Sequence, residues 1–117
     1  MIAVEIHKKI ESSNLRDKQH WSQRREERNI WYLLLRMKLL PRTPPNHKVK
    51  ITIISHRNRL LDFGNLVAAC KYIPDCLKQL GHIKDDSPHW FDCDYQQRQV
   101  HIADERTEIL IHDEVPA

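Results

Sequence analysis

The stretch from His47 to Asp86 constrains this chain most. It opens as HKVKITIIS, dense in β-branched residues that suit a pleated, half-buried strand. Val49, Ile51 and Ile53 alternate with Lys48, Lys50, Thr52 and Ile54, which predicts a strand over His47 to Ser55. The strand ends in a polar, basic segment, His56, Arg57, Asn58 and Arg59, just ahead of Asp62. Asp62 can cap a helix by accepting a backbone N–H two or three residues on. Phe63, Leu66, Val67, Cys70, Ile73 and Leu77 then recur near helical spacing and are expected on a core face. Pro74 falls inside that pattern and should kink or split the helix, because it removes a donor. Gly81 closes the helix, and Lys78 near its end complements the helix dipole. Asp85 and Asp86 follow in a turn before the next strand.

The flanks fill in a small domain around this unit. Ile2, Val4 and Ile6 alternate weakly, as a short strand or as a leader into a helix. Ser12, Ser13 and Asn14 offer caps, and Leu15 to about Leu39 is free of Gly and Pro and rich in helix formers. Ile30, Trp31, Leu34, Leu35 and Met37 should bury the back of this helix, while the mixed charges from Arg24 to Arg28 leave its front in solvent. Pro41, Pro44 and Pro45 stop it. Trp90 to Ile102 reads as one long strand or a strand with a bulge, with Asp104, Glu105 and Arg106 turning into a return strand over Glu108 to His112. An antiparallel pair is expected there. The fold class predicted is α/β: one small domain over residues 1–117, with a long N-terminal helix, a mostly antiparallel or mixed sheet and a central helix.

Composition narrows the function only slightly. A net charge of +3 permits an acidic partner without demanding one. Cys70, Cys76 and Cys93 match no zinc or redox spacing, so reduced core thiols are expected rather than a zinc module. No apolar run resembles a signal peptide or reaches the roughly 18 residues of a membrane span, so a cytoplasmic protein is expected.

Basic groups beside separated carboxylates suit a phosphate backbone together with a divalent ion. Arg57 and Arg59 are candidates to contact phosphates, with pairing to nearby acids as the competing reading. Asp92 and Asp94 either add to an acidic patch near Asp86 or face solvent from a sheet surface.

These residues resemble the RusA-type Holliday junction resolvases, small and often phage-derived endodeoxyribonucleases. The resemblance covers roughly Val49 to Asp86 and rests on Asp62, Asn65 and Leu66, the helix running to Gly81, and the pair Asp85 and Asp86 before a strand. It implies a homodimer and Mg²⁺-dependent cleavage of branched DNA. On this chain it assigns metal binding to Asp62 and Asp86, with Asp85 or Asp92 as further ligands. Asp62, Asp86 and Lys71 would be catalytic, and Arg57, Arg59, Asn65 and Lys71 would bind DNA. Gly64 stands where the family has its second aspartate and Ala68 where it has a lysine, with Lys71 about one turn further along. These departures define the alternative: a RusA-like fold without activity that binds DNA or another protein.

Overall fold

A computed structural model describes residues 1–11 and 21–114, with side chains described from 25 onward in the second segment. The capping residues Ser12 to Asn14 and the start of the predicted first helix lie outside the described residues. The elements are β1 (Ile2–Ile6), α1 (Trp21–Lys38), β2 (Val49–Arg57), α2 (Phe63–Ala69), α3 (Tyr72–Gln79), β3 (Phe91–Gln99), a 3₁₀ turn (Ile102–Asp104) and β4 (Arg106–His112).

The four strands form one mixed sheet in the order β1-β4-β2-β3. β4 runs antiparallel to both β1 and β2, and β2 pairs parallel with β3. The expected antiparallel pair of β3 and β4 does not form. Burial explains the difference. Thr107, Ile109 and Ile111 of β4 are fully buried, a pattern that requires a neighbour on each side and helices above. β3 alternates half-buried and exposed residues and takes an edge instead.

Val49, Ile51 and Ile53 of β2 point to the same face as Ile109 and Ile111 of β4, and all five are completely buried. Trp31 and Leu35 of α1, Leu39 just after it, and Leu66, Ile73 and Leu77 of α2 and α3 cover that face. The opposite face carries Lys50, Thr52, Ile54 and His56 beside Asp92, Asp94, Gln96 and Arg98. There His56 Nε2 meets Glu108 Oε1 at 2.5 Å, and Thr52 Oγ1 lies 3.2 Å from His112 Nε2. Not every predicted core residue is inside. Ile30 and Met37 are exposed and with Leu33 leave an apolar stripe along α1, and Phe63, in the first turn of α2, is 66% exposed.

The crossover from β2 to β3 splits where the chain chemistry requires. A continuous helix would need a donor from Pro74 to the Cys70 carbonyl, and the proline ring would clash with that oxygen. The helix therefore ends at Ala69 and restarts at Tyr72, which leaves Pro74 in the first turn of α3. At the far end Gly81 has φ +81°, and a Cβ there would lie 1.7 Å from the Arg42 carbonyl oxygen. The loop after α1 is pressed onto this turn, with the Arg42 N–H donating to the Leu80 carbonyl at 3.0 Å. Only glycine fits both the left-handed backbone and the contact.

Candidate functional site

The crossover carries acids at both of its ends, and β2 separates them. Asp62 follows the C-terminal end of β2. Its carboxylate caps α2, accepting from the Asn65 N–H at 2.9 Å and from the Asn65 side-chain amide at 2.7 Å. The neighbouring Leu61 is tied to Gln97 of β3, accepting from its amide at 2.6 Å and donating to it at 2.9 Å. Asp86 lies beyond the opposite end of β3, before the turn in which the Trp90 N–H donates to the Ser87 carbonyl. The strand between Phe91 and Gln97 alone spans about 20 Å at a rise of about 3.3 Å per residue. Within one chain Asp62 and Asp86 therefore do not share an ion. The convergence expected from the sequence is absent because a parallel crossover starts and finishes at opposite ends of its strands.

Arg57 is turned inward. It is only 4% exposed, and its guanidinium donates to the carbonyls of Arg59 at 2.7 Å and Ile10 at 2.9 Å. Burial lowers its proton affinity, opposed by the nearby Glu105. The arginine clasps the end of β2 to the segment after β1, whereas Arg59 beside it is exposed. Asn65 serves the Asp62 cap. Asp92 sits on the open face of the sheet, across from Lys50 and directed away from the helices.

At the other end the residues gather. Gly81 turns the chain back along α3, so that Lys78 reaches Asp85 at 2.8 Å. This bond lowers the Asp85 proton affinity. One turn earlier, the Asp75 carboxyl lies near that of Asp86. Partial burial raises the Asp75 proton affinity most, followed by the nearness of Asp86 and its negative charge, while Arg28 and Lys71 oppose the rise. Arg25, Arg28, Lys71, Tyr72 and Asp75 line a shallow groove between α1 and α3, which continues past Arg28 and Asp75 to Lys78 and Gln79.

Asp75 does not stand out in the sequence, and Arg28 stands there only within the mixed-charge run from Arg24 to Arg28. Asp75 hides between Pro74 and Cys76 in a segment read for its apolar period. The signal was present in the polar period: Lys71, Asp75 and Lys78 follow the i, i+4, i+7 rule of one helix face.

Among the described residues no group of three or more His, Cys, Asp or Glu side chains is placed to hold a metal ion. Two carboxylates nonetheless fit Mg²⁺, which keeps several waters and commonly takes one or two protein carboxylates together with substrate phosphates. The nearness of Asp86 to Asp75, which raises the Asp75 proton affinity, supports this fit, because two acids held together favour a positive partner. Cys76, pushed up to about 11 mainly by burial, and Cys93, likewise about 11, are poor thiolate donors. Also among the described residues, no helix is long and apolar enough to cross a membrane.

No family model matches the chain, and no curated protein matches it. The resemblance to the resolvases rests on Asp62, Asn65, Leu66, Gly81, Asp85 and Asp86.

Proposed function

We propose that this chain is a resolvase-like endodeoxyribonuclease that binds branched DNA along the α1–α3 groove and cleaves it with Mg²⁺. One observation carries the reading: the Asp75 carboxyl stands near enough to Asp86, across the Gly81 turn, for Asp86 to raise its proton affinity, with Arg28 and Lys71 opposing the rise. Asp75 and Asp86 would hold the ion, which when bound supplies an activated water and charge stabilisation at the transferring phosphoryl group. Arg25, Arg28 and Lys71 would neutralise backbone phosphates and fix the strand in the groove. Lys78 holds Asp85 beside the pair. Asp62 is assigned to the α2 cap rather than to the ion.

The test is a labelled four-way junction incubated with the purified chain, with and without Mg²⁺. Paired symmetric nicks are expected with Mg²⁺, falling by about 100-fold or more in both Asp75→Asn and Asp86→Asn if the pair holds the ion. Nicks that survive both substitutions would overturn the assignment.

A second reading has its own support in Gly64 and Ala68, which stand where the resolvases carry an aspartate and a lysine. In that case the groove binds DNA without cutting it. Junction binding that weakens in Arg28→Ala, with no nicks at any Mg²⁺ concentration, would establish this reading.

A further inference from the structure

β3 is an edge strand, paired on one side by β2. Its two end bonds fix which groups face out. The Val49 N–H donates to the Trp90 carbonyl, and the Val100 N–H donates to the Arg57 carbonyl, each at 3.0 Å. In a parallel ladder bonding residues alternate, so the even-numbered residues of β3 serve β2. The backbone N–H and C=O groups of Cys93, Tyr95 and Gln97 therefore point away from the sheet. Among the described residues no backbone bond outside the sheet reaches these three. A long, regular edge of this kind is a template for another strand.

We propose that the strand which completes this edge is β3 of a second copy, running antiparallel about a two-fold axis through Tyr95. The sequence of β3 is self-complementary in that register. Full overlap of Phe91–Gln99 with itself sets Tyr95 against Tyr95 and Cys93 against Gln97, with outward backbone groups meeting outward backbone groups. The same register sets Asp92 opposite Arg98 twice, on the open face of the sheet, where both side chains are exposed. A slip that centres the pair on Asp94 instead opposes two aspartates, which charge disfavours, and full overlap pairs the most residues.

This pairing makes one eight-stranded sheet from two four-stranded ones. Because the axis stands perpendicular to the sheet, both helical layers lie on the same side. That arrangement deepens the proposed function, on which this last step rests: two grooves on one surface could meet two strands of one junction. The edge pairing itself rests only on β3.

Charge reversal tests the register without touching the core. Light scattering on the full chain should give twice the 14.0 kDa chain mass. Asp92→Arg alone, or Arg98→Asp alone, places like charges opposite each other twice and should weaken association by about tenfold. The double variant Asp92→Arg with Arg98→Asp should restore it. Hydrogen exchange adds an independent reading: the amides of Tyr95 and Gln97 should become protected as concentration rises. A chain that stays monomeric at high concentration overturns the proposal. So does a dimer indifferent to both reversals but lost in Leu33→Glu, which would place the contact on the exposed stripe of α1. Neither result bears on junction cleavage, which is measured separately.

Discussion

The two ends of the β2–β3 crossover carry similar residues and put them to different use. At the first end, Asp62 and Arg57 are satisfied by their own surroundings: the carboxylate caps α2 and the guanidinium clasps two backbone carbonyls. At the second end, Asp75 and Asp86 lie against each other, and their mutual approach costs free energy that Arg28 and Lys71 partly offset. Charged groups that fold into caps and clasps are structural. Charged groups that fold into mutual repulsion favour a ligand of the opposite sign.

The largest effect on stability is expected where the second end is pinned. Gly81→Ala forces a side chain into the Arg42 carbonyl at a left-handed backbone position and should cost roughly 3 kcal/mol or more in chemical denaturation. It should also release the turn that carries Asp85 and Asp86. Arg57→Leu comes next. It strands buried carbonyls and should cost roughly 2–3 kcal/mol, with junction affinity per folded molecule little changed. If Arg57 instead serves phosphate, affinity falls and the midpoint of unfolding stays put.

The smallest effects should differ in sign between the ends. Asp62→Ala removes a cap and should destabilise by about 1 kcal/mol. Asp75→Asn should stabilise the metal-free protein by a few tenths of a kcal/mol near neutral pH, a small value because the site is partly open to solvent. The sign follows from linkage. The folded state binds the Asp75 proton more tightly than the unfolded chain does, so this stability is complete below the usual carboxylate range and lost as pH rises through the raised value. The advantage of the asparagine should therefore vanish in acid. Unfolding curves at several pH values check both variants.

Much of the fold was legible because its signals are local. The β-branched run of β2, the Asp62 cap, the interruption near Pro74 and the Gly81 turn each follow from a few adjacent residues. Strand pairing was not, since β3 and β4 are neighbours in sequence and lie on opposite sides of β2. Only the contrast between the full burial of Ile109 and Ile111 and the alternating exposure of β3 separates a central strand from an edge. The candidate site was half legible. Asp85, Asp86 and Lys71 stand in recognisable positions, but their partner Asp75 reads as one polar residue in an apolar helix until Gly81 folds the next turn against it.

The central claim is that a divalent ion finds Asp75 and Asp86, and Mn²⁺ can report it directly as a paramagnetic stand-in for Mg²⁺. Titrated into the isotopically labelled full chain, Mn²⁺ should first broaden the amide signals around Asp75 and Asp86, and added Mg²⁺ should reverse the broadening. Broadening that begins at Asp62 and Asn65, with the α3 end untouched, would contradict the account.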